Sequence, residues 1–369
     1  MKIAIIGGGI FGSLASIKIA SKFPSVSVHL YESSPDLLKL ASRVNQARLH
    51  TGMHYPRDFN TAASAYGDYE KFYSEFGDAL KPIEQYYGIA SEDTLTTPDD
   101  FLRLASLIKL PYKEVNPSLF FKDNKVDLLI QVPESTIETD TLRKIIKQKI
   151  YENKNISVFY SSEILQIRNE REIIFNDEIH NYDNIISTTY ASSIKFGELL
   201  NIKLPKFHYQ VCEVLFGESK QLNNIGITLM DGKFWSTMPY GFSNLHTLTS
   251  VLYTPVLENS EGGLLVCQEK HSKCGKGVTE DCNYCIFRPA SQNELIINEY
   301  FKYVKEKYFF NYKYSEFVLK TVLSSTKGTT EGRPSQIFSN NSNSNHIIFS
   351  GKIGSVVTTI EELLDRIEL

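Results

Sequence analysis

Three groups of side chains in this sequence have the types and spacing to do chemistry. His50 and His54 lie four residues apart in Arg48-Leu49-His50-Thr51-Gly52-Met53-His54-Tyr55. An imidazole changes protonation near neutral pH and can take a proton from an O–H or N–H group. Gly52 between them argues against a helical metal pair, and the alternative for each is a histidine that packs and hydrogen-bonds without catalysis. Cys267, Cys274, Cys282 and Cys285 form the second group, with His271 among them. The Cys282-Asn283-Tyr284-Cys285 knuckle and two further thiols suit the closed tetrahedron of a structural zinc site, in which His271 could replace one thiol. Reduced, metal-free thiols fit the same residues, as do an iron–sulfur cluster or a redox disulfide. The third group is Gly7-Gly8-Gly9-Ile10-Phe11-Gly12 with Glu32. Gly7 permits a tight turn, Gly9 lets backbone N–H groups approach a pyrophosphate, and Gly12 allows close helix–strand packing.

Those residues need a frame, and the chain supplies one. Lys2–Ile6 reads as a strand, Ser13–Ser21 as a helix and Val26–Tyr31 as a second strand ending in Glu32. The helix N-terminus offers free N–H donors and a positive dipole end to phosphates, and Glu32 can accept hydrogen bonds from ribose hydroxyls. Strand, glycines, helix, strand and acid in register predict dinucleotide binding. Thr61–Phe76 and Thr139–Asn153 read as helices, the latter with Leu142, Ile145, Ile146, Lys149 and Ile150 on one face. Ile156–Tyr160 follows as a strand. Ser162–Arg168 with Glu172–Phe175 suggests a hairpin, and Asn184–Ser187 a buried strand. Phe207–Phe216, Phe234–Met238 and His246–Tyr253 suggest a larger antiparallel sheet, with Cys212 as a core residue. Glu294–Phe309 reads as a helix, Ile347–Ser350 as a strand, and a terminal helix follows Gly351-Lys352-Ile353-Gly354.

The 369 residues exceed one compact core. Net charge of −4 and 22% charged residues argue against a polyanion-binding surface, so no nucleic acid partner is expected. No apolar run is long enough to span a bilayer. Five cysteines, an odd number, fit a reducing compartment, and a cytoplasmic protein is expected.

Four segments together resemble the D-amino-acid-oxidase-like superfamily of FAD-dependent oxidoreductases. They are the opening glycine motif with Glu32; Ser42-Arg43-Val44-Asn45-Gln46-Ala47-Arg48-Leu49-His50-Thr51-Gly52-Met53-His54-Tyr55; Val132 to Asp140, similar to an acidic turn and helix; and Gly332-Arg333-Pro334 with Phe349 to Gly354. The second is most similar to the branch oxidising L-2-hydroxyglutarate. The resemblance covers about half of the chain by order of segments. It implies an α/β fold (α+β overall): a Rossmann-like FAD-binding domain, discontinuous in sequence, and a substrate domain on a mostly antiparallel sheet. The FAD-binding domain is expected over 1–78, 132–200 and 325–369. The substrate domain is expected over 79–131 and 201–324, with a Cys-rich insertion at 264–290.

The resemblance also implies site roles. Gly7, Gly9, Ile10, Phe11, Gly12, Glu32, Ser33, Arg43, Asn45, Leu49, Ile164, Gly351, Lys352, Ile353 and Gly354 are expected at the cofactor. His50 or His54 would assist proton removal, and Tyr240 or Arg333 would orient a small polar substrate, the alternative for Arg333 being a tie between the late loop and the nucleotide domain. Lys352 would add positive charge at the flavin, its alternative being a solvated surface lysine. Tyr240 also fits as a plain sheet aromatic. Arg48 and Arg57 extend a basic, aromatic mouth. Two departures stand out: Ser187-Thr188-Thr189-Tyr190 replaces the family's small residues, and Lys352-Ile353 occupies the closing turn. The expected reaction is oxidation of a CH–OH or CH–NH group by hydride transfer to flavin. A non-redox flavoenzyme acting on a nucleotide sugar, and a non-catalytic protein stabilised by flavin or zinc, remain alternatives.

Overall fold

The computed structural model describes residues 1–259, 283, 285, 288–325 and 332–367. Its first half of interest is a six-stranded sheet in the order Gln336–Ser339, Asn345–Phe349, Asn184–Ser187, Lys2–Ile6, Ser27–Tyr31, Ile156–Phe159. All neighbours run parallel except Gln336–Ser339, which pairs antiparallel with Asn345–Phe349. Helices cover one face; the other is covered by the small sheet around Ile167, Ile173 and Phe175 and by the short helix Ser193–Leu199, so both faces are buried as a parallel sheet requires. The helix after the first strand spans Ile10–Lys22, three residues earlier than expected. Gly12 belongs to its first turn, because only Gly7–Gly9 are needed to reverse the chain. Helices Thr139–Tyr151 and Val356–Arg366 pack with it around Leu14, Leu142, Ile146, Ile360 and Leu363.

The second sheet has ten strands and is mostly antiparallel. Its longest pairings join Leu80–Ala90 to Val126–Ile137 and Phe207–Glu218 to Asn311–Leu323. Ile225–Met230 lies parallel to Leu80–Ala90, the exception in the sheet. The α/β class with two sheets of opposite character is thus as expected. Several elements are not. Val132–Ile137 is the end of a long strand of the second sheet, not a turn of the nucleotide-binding part; only Glu138 serves the following helix, its side chain accepting from the N–H of Asp140. The helix expected to reach Phe309 spans Asn293–Tyr303, after which Val304 is extended and Glu306–Tyr308 forms a 3₁₀ turn. The expected hairpin begins only at Gln166 and gains a third strand, Glu178–Asn181.

Side chains alternate across the large sheet with period two. One face carries Tyr86, Leu215, Ile227, Leu229, Trp235 and Leu248, packed on Ile296 and Tyr300 of the helix Asn293–Tyr303. The other carries Gln85, Tyr87, Glu134, Thr228, Ser236 and Thr247, all buried as well. The segment 48–58 runs against this second face, where Met53 and Tyr55 pack with Tyr87, Ile130, Val132 and Met230.

Candidate active site

The glycine loop comes first in the chain and is held from two sides. Gly7 adopts φ +104°, and a Cβ on Gly12 would lie 1.9 Å from the Gly7 carbonyl oxygen, so neither position admits a larger residue. Glu32, at the end of the second strand, accepts the Gly8 N–H at 2.6 Å, the Ser34 N–H at 2.6 Å and the Ser33 hydroxyl at 3.3 Å. A carboxylate has about four acceptor sites, so capacity remains for a ribose hydroxyl. On the opposite side the Thr188 hydroxyl reaches the carbonyls of Ile6 and Gly7. The departure from small residues at 188 therefore gives the loop a polar tie. Gly9 is the extended N-cap of the following helix and provides no side-chain cap. The Ile10 N–H donates to Ser42 Oγ at 3.1 Å. A tight turn barred to side chains, a helix N-terminus whose Gly9 N-cap adds no side chain and a nearby buried acid suit the pyrophosphate and ribose of a dinucleotide.

A second group assembles where three distant segments meet. The short strand Arg48–Leu49 pairs with Thr136 and Ser135 at the sheet edge and delivers His50. The helix Phe59–Phe76 brings Ala65 and Asp68, and the closing turn brings Lys352 and Gly354. Arg48, Leu49, His50, Ala65, Asp68, Lys352 and Gly354 line one small pocket. His50 and His54 stand tilted to each other with ring centroids 5.9 Å apart, each edge-on to Tyr55 at 5.2 and 5.3 Å. Burial holds both imidazoles well below their usual range. His54, Lys352, Arg48 and Arg333 add to this at His50, and Arg48, Arg333 and Lys320 add to it at His54. Both shifts favour the neutral imidazole, and the Nδ1 of each is buried without a hydrogen-bond partner. A neutral imidazole can accept a proton, although the burial and nearby positive charges that lower these pKa values also make both rings weaker bases.

The Lys352 ammonium reaches back to the long helix, donating to Ser64 Oγ at 3.3 Å and the Thr61 carbonyl at 3.4 Å, 3.9 Å from Asp68 Oδ2 and 5.6 Å from the Tyr55 ring centroid. It is no solvated surface lysine: its side chain is 6% exposed. Burial lowers its pKa, with Asp68 and Asp58 opposing the shift. Arg333, half-buried, exerts its charge on both histidines, Tyr55 and Tyr190.

Other expected residues sit elsewhere. Arg48 is engaged inside the sheet: its Nε donates to Glu134 at 2.8 Å, and its two terminal nitrogens bond Thr228 Oγ1 (2.9 Å) and the Tyr87 hydroxyl. Glu134 also accepts from Tyr87 OH at 2.8 Å and the Thr51 N–H at 3.2 Å. Arg57 pairs with Asp231 at 2.6 Å, so neither arginine forms an open basic mouth. Arg43 pairs with Glu316 at 3.0 Å. The Asn45 side chain bridges Ala41 and Ala47 within its own loop. Tyr240 donates to the Arg43 carbonyl at 3.4 Å and meets Phe216 edge-on, away from the pocket-lining residues. Ile164 is buried in the apolar cluster with Tyr31 and Ile185, while Ile353 packs on the core of the nucleotide-binding sheet. Ser33 is exposed, and Gly351 packs against the Arg333 carbonyl. Of the four cysteines expected at zinc, Cys267, Cys274 and Cys282 lie outside the described residues. Cys285 is half-buried, and no group of three or more metal-ligating side chains occurs among the described residues. Cys212 is buried, as expected of a core position.

Asp68, Glu134 and Tyr87 are site residues that the reading of the sequence missed. Asp68 had a signal: it falls on the buried stripe of its helix with Thr61, Ala65, Phe72 and Phe76, where a charge is out of place.

No protein-family model matches this chain. The chain is similar to the FAD-dependent monooxygenase FPY4 of Fusarium mangiferae, 25% identical over 257 residues. That match covers 69% of this chain and 65% of the relative, so it spans less than two thirds of the relative's length. Among solved structures, glycine oxidase from Geobacillus kaustophilus superposes with a TM-score of 0.74 at 10% identity, covering 100% of this chain and 95% of that one. L-α-glycerophosphate oxidase from Mycoplasma pneumoniae, solved with FAD bound, gives 0.71 at 11% identity, covering 99% and 94%. Likeness at such identities is one of fold: this chain has the fold of the D-amino-acid-oxidase-like FAD-dependent oxidases. Among the described residues no helix is long and apolar enough to cross a membrane.

Proposed function

We propose that this chain is an FAD-dependent oxidoreductase that oxidises a CH–OH or CH–NH group of a small polar substrate, a hydroxy acid, an amino acid or a sugar derivative. The observation that carries this reading is the meeting of His50, Lys352 and Gly354 at one pocket, in a fold whose opening turn suits a dinucleotide. Gly7, Gly9, Gly12 and the helix N-terminus would hold the pyrophosphate, with Glu32 at a ribose. When bound, FAD supplies a hydride acceptor. His50, whose Nδ1 has no hydrogen-bond partner, takes the proton from the substrate O–H or N–H, and His54 stands behind it as the second acceptor. Arg333 orients an anionic group of the substrate. The buried Lys352 offers a fixed positive charge toward electron density arriving at the site. The segment Ser42 to Tyr55 supports hydroxy acids of the L-2-hydroxyglutarate kind as the first substrates to try.

The test is FAD uptake by the purified protein, followed by anaerobic mixing with hydroxy and amino acids. Substrate-dependent bleaching of the flavin is expected, with His50→Asn slowing it by about 10²–10⁴-fold. Bleaching that requires a nicotinamide donor would overturn the dehydrogenation reading and favour a monooxygenase. Failure to take up FAD would overturn the cofactor assignment.

A further inference from the structure

Asp68 has no role in the reaction so far described, yet it is a carboxylate on the buried stripe of a helix, lining the same pocket as His50 and Lys352. Burying a charge is costly unless a partner compensates it. Here Lys352 and Asp68 are 6% and 7% exposed in their side chains, and each is the other's nearest opposite charge, at 3.9 Å. The pair is anchored at both ends. Thr358 of the last helix donates to Asp68 Oδ1 at 2.8 Å, and the Lys352 ammonium is held by Thr61 and Ser64. Two elements far apart in sequence thus clamp one buried cation together with its counter-charge. A lysine required only to fasten the closing turn would be served by the Thr61 carbonyl and Ser64 hydroxyl. Adding a buried carboxylate sets the net field that the pocket feels.

Resting on the flavin reading above, we infer that Asp68 is a positioning residue that acts through Lys352 by partly cancelling its charge, so that the pair, and not the lysine alone, sets how strongly a bound flavin attracts electrons. The residues' environments agree. Burial pushes the Asp68 carboxyl up, opposed by its Thr358 hydrogen bond and by Lys352 and Lys71; burial pushes Lys352 down.

Sulfite titration of the FAD-loaded protein reads this without turnover. The sulfur lone pair forms a bond to flavin N5 while the ring π electrons move toward the pyrimidine carbonyl; no group leaves, and the ring becomes anionic. A nearby positive charge tightens that equilibrium. Lys352→Met is expected to weaken sulfite binding by about 10-fold or more, and Lys352→Arg to stay within about threefold of the parent. Asp68→Asn is expected to tighten it, by about threefold or more, because the opposing charge is gone. Unchanged binding in Lys352→Met overturns the inference. Weakened binding in Asp68→Asn also overturns it, since it would make Asp68 a mere fastener of the lysine. If Lys352→Met no longer takes up FAD, Asp68→Asn decides alone. If the parent protein takes up no FAD, the flavin reading falls and this inference with it. A loaded parent with unresponsive variants removes this inference only.

Discussion

The two faces of the ten-stranded sheet are both buried, but by opposite means. On one, Leu215, Ile227, Trp235 and Leu248 meet a helix through apolar contact. On the other, Arg48, Glu134, Tyr87, Thr228, Gln85 and Ser236 are joined by hydrogen bonds. Contact of the first kind tolerates imprecision; a buried polar network is stable only when each member is satisfied. Removing two charges from water for a salt bridge often yields no more stability than an apolar replacement. The polar face therefore has a purpose other than stability. It ends at Thr51, whose N–H is held by Glu134, one residue from His50. The network fixes the strand that presents the histidine.

The largest expected effect breaks the polar face. Glu134→Leu leaves Arg48 buried without its partner and is expected to lower unfolding stability by about 3–5 kcal/mol in urea denaturation. Arg48→Met combined with Glu134→Leu is expected to recover most of that loss while flavin bleaching by substrate stays impaired. On the apolar face Leu248→Ala is expected to cost about 2–5 kcal/mol with bleaching by substrate retained. A double variant as unstable as the single one, or one that bleaches normally, would erase the distinction between the faces.

A second, somewhat smaller effect comes from pH. His246 lies on the apolar face with its pKa lowered to about 4, burial being the main cause. The folded imidazole stays neutral while the unfolded chain takes up a proton below its usual value near 6.5. This contribution is complete above pH 6.5 and is lost as pH falls toward 4, by up to about 3 kcal/mol. His50 and His54 shift in the same direction. Melting temperatures measured from pH 8 to 4.5 should fall on the acid side, and His246→Leu should flatten part of the fall. An unaltered profile would mean that His246 does not titrate between the two states.

The smallest effect sharpens the comparison. Tyr87→Phe removes one hydroxyl that Arg48 and Glu134 share. A loss of about 1 kcal/mol is expected, with a larger proportional drop in the rate of bleaching. Loss of stability without any change in rate would detach the network from the histidine.

How much of this was legible depended on distance along the chain. The glycine loop was readable because turn, helix start and acid follow one another within a single βαβ unit, and each has a local reason for its residue type. The amphipathic helix Thr139–Tyr151 was readable for the same reason, with Leu142, Ile146 and Ile150 buried as spaced. His50 and the Lys352 turn were identified as residues, but their meeting was not, since it depends on how the helix Phe59–Phe76 sits between them. Leu80–Ala90 and Val126–Ile137 escaped notice because polar residues occupy a buried face, which hides the alternation that marks a strand. Arg43, Arg48 and Arg57 looked like free cations, and only the fold reveals their carboxylate partners Glu316, Glu134 and Asp231.

The order of strands in the parallel sheet has a consequence for biosynthesis. Asn345–Phe349, which flanks Asn184–Ser187, is followed by a helix that packs on Ile10–Lys22. As the chain is made, the glycine turn has Glu32 and Thr188 at hand once residue 188 is out, but the helix Val356–Arg366 that packs on Ile10–Lys22 follows only after the second sheet has been made. Contacts of such long sequence separation form slowly and leave partly built intermediates exposed. Closure of the parallel sheet is therefore a late event of synthesis, and if the chain takes up FAD as proposed, free FAD supplied during refolding should raise the yield of native protein.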